Sequence, residues 1–380
     1  MRRIMMYLLS FAAILWAAER PKECSVAVTN PLGFARGPEV VSIDLAALAV
    51  RLPDARTADL TVTDAGKVLV SQVVDNDQDG VNDELLFLVS MAPSQKKRFM
   101  VRVGTPPVFT TVVDGRFVLP RQDFAWENDR IAFRIYGSPI AGNVLNGTDV
   151  WTKRVRYPIV KKWYDGEEQT PKIVYHEDHG EGADFFSVGR SLGAGSMALM
   201  WNGRMVQSGL FSSYRVLANG PLRISFEVTY TDLRLDTMRV LETKRITLDA
   251  GEQLNRVTER YQTLLPVDSL TVVTGIVKRA GVDLHRSKDR QRAALWGPTT
   301  NDPVNGTLGT AVILPFSSVT ALEDTVHAMV SAVVPANRSI TYYAGAAWSR
   351  MGDIASAQEW NAYLDRFQDR LRSPLLVTFP

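Results

Sequence analysis

The chain of 380 residues has a single cysteine, Cys24, so no disulfide framework holds one copy together. Charge of one sign is also lacking: 43 Lys and Arg against 41 Asp and Glu leave a net charge of +2. No field of one sign covers the molecule as nucleic-acid binders require, so nucleic acid is not an expected partner and any anion must be met by a local patch. Beyond residue 18 no run is apolar and long enough to span a bilayer, which takes roughly 20 residues. Internal repeats and low-complexity tracts are missing too, which argues against a propeller or solenoid. Histidine is scarce, at four residues.

What is present is the balance of a folded protein, 46% hydrophobic and 22% charged, in a chain long enough to bury its own core. Arg2 and Arg3 precede an apolar stretch over residues 4–18, broken only by Ser10 and ending in Ala17 and Ala18. This predicts a signal peptide over residues 1–18 and a protein exported to the periplasm or the exterior. Lys22 and Glu23 stand where a lipobox would need small apolar residues, so Cys24 is not read as a lipid anchor.

From residue 25 to 107 short alternating runs such as Leu60-Thr61-Val62-Thr63 and Phe99-Met100-Val101-Arg102-Val103 are punctuated by Pro, Gly, Asp and Asn. They predict a small β-sandwich closed by Thr105-Pro106-Pro107. Residues 118–380 stay β-rich with longer runs, some of them polar at every second position, as in a sheet wetted on one face or lining a groove. Trp360, Tyr363, Leu364 and Phe367 recur at three- and four-residue steps, so one amphipathic helix is expected over residues 355–372 and no other. The fold class expected is therefore all-β.

Two segments carry chemistry. Asp75, Asp77, Asp79 and Asp83 surround Gly80 with a spacing that suits calcium, but Leu86 stands where a helical calcium loop has its bidentate Glu. A hairpin turn shaped by Asp and Gly is preferred to a structural calcium site. The second segment is Tyr175-His176-Glu177-Asp178-His179-Gly180-Glu181-Gly182, which gathers two of the four histidines. General acid–base work by His176 and His179, oriented by Glu177, Asp178 or Glu181, is preferred. A polar loop comes second, and a zinc site of His176, His179 and Asp184 third. Upstream, Trp151 adjoins Lys153 and Arg154, and Trp163 follows Lys161 and Lys162. Aromatic faces suit sugar CH groups and cations suit carboxylate or sulfate, so an acidic oligosaccharide is the expected partner.

Residues 72–87, Trp126-Glu127-Asn128-Asp129-Arg130, Trp151-Thr152-Lys153-Arg154, the histidine segment, Tyr214-Arg215-Val216-Leu217-Ala218-Asn219-Gly220-Pro221 and Tyr342-Tyr343-Ala344-Gly345-Ala346-Ala347-Trp348 together resemble a bacterial family long labelled a domain of unknown function. Its members occur mainly in loci that degrade pectin, ulvan and related acidic polysaccharides. The resemblance implies a galactose-mutarotase-like β-supersandwich after the small β domain, and an exported enzyme acting on uronate oligosaccharides by β-elimination, as a dehydratase or lyase. In that chemistry Lys153, Arg154 or Arg156 would neutralise the uronate, His176 or His179 would take the C5 proton, and Tyr214, or else Tyr175, would protonate the leaving oxygen. Trp151, Glu127, Glu177, Glu181 and Trp348 would line the substrate site, although for Trp348 a place in the core is preferred. Glu127 with Asp129 offers a weaker hydrolase pair, because neighbours on one strand face do not flank a bond from opposite sides. An acidic-glycan binding protein and a mutarotase-like epimerase are the remaining alternatives.

Overall fold

The structure is a computed structural model, and it describes residues 21–137, 142–289, 291–300 and 302–380. The expected signal peptide lies outside the described residues. Among those described, no helix is long and apolar enough to cross a membrane.

The fold is all-β, built in two sandwiches. In the smaller, a five-stranded sheet orders its strands Leu376–Thr378, Glu23–Thr29, Lys96–Val103, Leu60–Asp64 and Lys67–Val68. It faces a three-stranded sheet of Arg36–Asp44, Glu84–Met91 and Ser71–Val74 across a core that includes Val26, Ile43, Phe87, Phe99 and Val101. Leu85, Leu86 and Phe87 are all fully buried, because the two faces of their strand are covered by different bodies. Leu85 and Phe87 belong to the small core, whereas Leu86 and Val74 belong to the large one. A strand covered on both faces reads as a continuous apolar run rather than an alternation.

The larger sandwich has an eight-stranded antiparallel sheet running Ser213–Asn219, Arg223–Leu235, Met238–Asp249, Leu254–Thr263, Ser339–Trp348, Thr307–Ile313, Arg292–Pro298 and Asp283–Arg286. Two five-stranded sheets share its inner face. One holds Ala194–Trp201 and Ser269–Val277, and the other holds Asp114–Val118, Asp123–Glu127, Ala132–Tyr136, Asp149–Lys153 and Gly182–Ala183. Among the described residues an isolated bridge, Thr148 to Gly193, links these two sheets just ahead of the strands Asp149–Lys153 and Ala194–Trp201. Phe124 stacks on Phe226 at 3.9 Å and Trp126 on Phe133 at 5.5 Å within the core so enclosed.

Among the described residues there are three α-helices, not one. α1 (Leu45–Ala49) caps the small core. α2 (Val160–Glu168) occupies the cationic stretch that pattern alone places on strands. α3 (Ala357–Arg372) is the expected amphipathic helix, started by Ser356, whose hydroxyl accepts from the Glu359 N–H at 3.2 Å. It lays Trp360, Leu364 and Phe367 on the outer face of the eight-stranded sheet. Gly309 makes room, since a Cβ there would stand 2.9 Å from the Trp360 ring.

Candidate functional site

α2 begins without a side-chain cap of its own. Glu127, from the neighbouring strand, supplies one: its Oε1 accepts the N–H groups of Ile159 and Val160, both at 2.7 Å, satisfying donors that a helix start leaves orphaned. Its Oε2 accepts from Lys153 Nζ at 2.6 Å, and that ammonium also donates to the carbonyls of Asn128 and Tyr157. Burial pushes the Glu127 carboxyl up, against the pull of Lys153 and the two amides. The pair nails α2 to the sheet.

Beneath α2 lies an aromatic stack. Trp151 is fully buried, with Tyr175 at 4.8 Å, Tyr164 at 5.0 Å and Trp163 at 5.5 Å, and the Arg134 guanidinium 5.1 Å from its ring. Arg134 in turn ties Asp149 (2.9 and 2.5 Å), Asp184 (2.8 Å) and the Tyr175 hydroxyl (3.2 Å) into one buried network.

Over this stack, between α2 and the histidine segment, opens a cleft of about 780 Å³. Its lining brings together Lys161, Lys162, Trp163, Tyr175, Glu177, His179 and Glu181, with Asp114 and Arg116 contributed by a sheet-edge strand. Glu181 accepts from Lys162 Nζ at 2.7 Å, from Trp163 Nε1 at 3.2 Å and from the Tyr157 hydroxyl. Partial burial alone would raise its pKa, but these donors hold the carboxyl below its ordinary value. His179 places Nε2 3.2 Å from the Val174 carbonyl. A carbonyl only accepts, so Nε2 carries the proton and Nδ1 keeps the lone pair.

The imidazoles do not share the cleft. His176 is outside its lining and sets Nδ1 3.0 Å from the Asp184 carbonyl and 3.6 Å from the Asp184 carboxylate, leaving Nε2 as its basic nitrogen. Arg154 pairs with Asp178, stands 5.6 Å over the Trp348 ring and takes no part in the lining, so it braces the histidine segment.

Several expected substrate contacts need correction. Glu127, Trp151, Lys153 and Trp348 are 0–1% exposed and have no surface to offer a ligand. Trp348 spends its Nε1–H on the Asn305 carbonyl at 2.8 Å. Arg156 is drawn away to Asp353 at 2.6 Å. Tyr214 stacks on Phe117 at 4.7 Å and does not reach the cleft. Of the cations that do line it, Lys161 and Lys162 are those the sequence sets beside Trp163, and Arg116 comes from a strand that the sequence does not single out. A helical period through Val160, Trp163, Tyr164 and Glu167 was the signal that could have placed the first two on a helix.

In the acidic turn, Asp75, Asp77 and Asp83 bring carboxylate oxygens within 4.8 Å of one another, and Asp79 stays outside the group. Asp75 accepts the N–H groups of Gln78 (2.7 Å) and Gly80 (2.9 Å), and Asp83 accepts that of Asn76 (2.8 Å). These are the bonds of a turn, and the same oxygens are the donors a hard cation would use. Among the described residues no such group joins His176, His179 and Asp184, which removes the zinc arrangement.

The uncharacterized protein P7 of Formosa agariphila is 31% identical over 399 aligned positions, covering 99% of this chain and 98% of its own. Among solved structures, an alpha-mannosidase from Enterococcus faecalis V583 superposes with a TM-score of 0.54 at 12% identity, over 94% of this chain. The chain spans 46% of that structure, and the likeness is one of fold. A protein of Glycosyl Hydrolase Family 38 from Enterococcus faecalis superposes at a TM-score of 0.48 and 11% identity. Residues 28–377 match the model of the family described as Domain of unknown function (DUF4861), and the chain belongs to that family.

Proposed function

We propose that the protein is an exported carbohydrate-active enzyme that cleaves a C–O bond of a uronate-bearing oligosaccharide by β-elimination in the cleft under α2. One observation carries this: Lys161, Lys162 and Arg116 line the same concavity as His179, above the rings of Trp163 and Tyr175. Sugar-processing chemistry on this scaffold has a precedent in the alpha-mannosidase, by analogy of fold alone.

In the reaction Lys161, Lys162 and Arg116, each of which faces a carboxylate of the cleft itself (Asp165, Glu181 and Asp114), turn to the uronate carboxylate and to the enolate-like charge that builds on it. His179 Nδ1 takes the C5 proton, its Nε2–H remaining on the Val174 carbonyl. In this reading Tyr175, which lines the cleft and is kept protonated chiefly by burial, is the acid for the oxygen leaving C4; its hydroxyl oxygen accepts from Arg134, which leaves its own hydrogen to donate. Electrons of the broken C5–H bond form the 4,5 double bond as the C4–O bond breaks. Water as leaving group makes a dehydratase, and a sugar makes a lyase.

Glycoside hydrolysis in the same cleft would need a carboxylic acid held protonated near neutrality. Of the carboxyls that line it Glu181 is held the other way, and Glu177, Asp114 and Asp165 make hydrolysis an outcome for the test to read.

The test is incubation with saturated uronate-ended oligosaccharides while the ultraviolet band of an unsaturated uronate is followed. His179→Ala is expected to lower kcat by about 10²–10⁴ with binding retained, and His176→Ala to have a smaller effect. Reducing sugar released without the new band would replace the proposal by hydrolysis. Binding without either product would make the protein a glycan-binding module.

A further inference from the structure

Another large concavity takes no part in this chemistry. In the strand Met238–Asp249, Val240 and Ile246 face the core, so Thr243, Arg245 and Thr247 point outward. There the eight-stranded sheet and the small sandwich enclose a groove of about 590 Å³, lined by Arg245, Arg256, Arg260, Thr243, Thr258 and Gln262 among others. A second hollow, of about 210 Å³, shares Thr247 and Arg256 with it and runs on toward Tyr343 under α3.

Charge in the groove is unbalanced. Glu84 is engaged by Arg223 at 2.7 Å, and Glu227 is shared between Arg215 and Arg245, each at 3.6 Å. Among the described residues Arg256 and Arg260 have no carboxylate partner. An exposed arginine is ordinarily just solvated. These two occupy one face of one strand, four residues and so about 13 Å apart. Arg256 lies opposite Thr247, Arg260 opposite Thr243, and Arg245 opposite Thr258, which sets hydroxyls between the guanidiniums.

We propose that this groove is a second binding site, for a strand of acidic polysaccharide, separate from the cleft. Guanidiniums at a fixed interval bind carboxylate or sulfate bidentately, and threonine and serine hydroxyls meet sugar hydroxyls. A single-stranded nucleic acid would call for aromatic platforms, and the groove proper has none. The proposal shares its ligand class with the proposed function but does not depend on the cleft's chemistry.

Titration calorimetry with three heptasaccharides tests it: an oligogalacturonate, a sulfated carrageenan oligomer and neutral maltoheptaose. The native protein should take two equivalents of an acidic heptamer. Arg256→Ala/Arg260→Ala should lose one of them, and Lys161→Ala/Lys162→Ala the other. Arg256→Gln/Arg260→Gln, which keeps side-chain bulk, should match the alanine pair, with unfolding midpoints unchanged in both. The carboxylated and sulfated arms report which anion the groove takes. One equivalent lost only with the arginines would keep the groove and remove the cleft. The groove is overturned if the arginine variants bind as the native protein does, if neither acidic heptamer binds, or if maltoheptaose binds equally well.

Discussion

Lys153 and Glu127 carry the charge expected of a substrate site and spend it on the scaffold. Both side chains are 0% exposed, so removing one leaves the other buried and uncompensated. Lys153→Met is expected to cost about 3–5 kcal/mol in urea unfolding. Adding Glu127→Gln should recover part of that, which a pair acting only through substrate would not show. Asp123 works in the opposite sense. Its Oδ2 accepts from the Tyr164 hydroxyl at 3.1 Å, its Oδ1 has no partner, and burial, outweighing Arg134 and that hydrogen bond, pushes its pKa from 3.8 up to about 6. The folded state therefore holds the proton more tightly than the unfolded one. Its contribution is fully present below pH 3.8 and is lost as pH rises through about 6. Asp123→Asn should accordingly stabilise the protein by about 1–3 kcal/mol at pH 8, since one pKa unit is worth about 1.4 kcal/mol, and by far less at pH 4. Unfolding curves at the two pH values check it, and an equal effect at both would refute the sign.

Among the elements, α3 was legible because Trp360, Tyr363, Leu364 and Phe367 all face one partner sheet and repeat at its period. α2 was not. It has only nine residues, and its start is fixed by Glu127 across the fold rather than by a local capping residue. The burial of Trp151 and Lys153 was hidden for a related reason: their strand, Asp149–Lys153, is buried at every position, so no alternation distinguishes inside from outside. The histidine segment stood out through the rarity of its residues, and part of it lines the cleft. Its division, with His179 on the cleft and His176 over Asp184, follows from contacts distant in sequence such as Arg134 with Asp184. Gly182 fixes the end of that segment. Its φ is +116°, and a Cβ would stand 2.1 Å from the Thr152 carbonyl oxygen. Gly182→Ala should therefore destabilise by about 1–3 kcal/mol and loosen the segment. Hydrogen exchange should quicken at Arg154 N–H, which donates to the Glu181 carbonyl at 2.8 Å, and unchanged exchange there would show the segment held by other means.

At the scale of the molecule, the two sandwiches are tied at both ends of the chain. Strand Leu376–Thr378 pairs with Glu23–Thr29 through Leu376, Val377 and Thr378, so the last residues complete the small sheet that the first strand opens. Leu375, Val377 and Phe379 pack on the small core, Arg36 donates to the Ser373 carbonyl at 2.9 Å, and Arg370 bridges Glu39 and Glu252. Sequence pattern could not show this, because a three-residue strand carries almost no periodicity and its partner lies at the other end of the chain. Deleting residues 374–380 removes a few ladder hydrogen bonds, each worth about 0.5–1.5 kcal/mol, and half-buried apolar side chains. The expected loss is about 2–4 kcal/mol. It should fall first on the small sandwich, since the Leu86 face of the three-stranded sheet remains in the large core. Hydrogen exchange resolved by strand distinguishes the outcomes. Protection falling in Glu23–Thr29 and Lys96–Val103 while Met238–Asp249 keeps its own would show a separable small sandwich locked by the C-terminal strand. An equal fall throughout would mean that the shared three-stranded sheet makes the two bodies unfold as one.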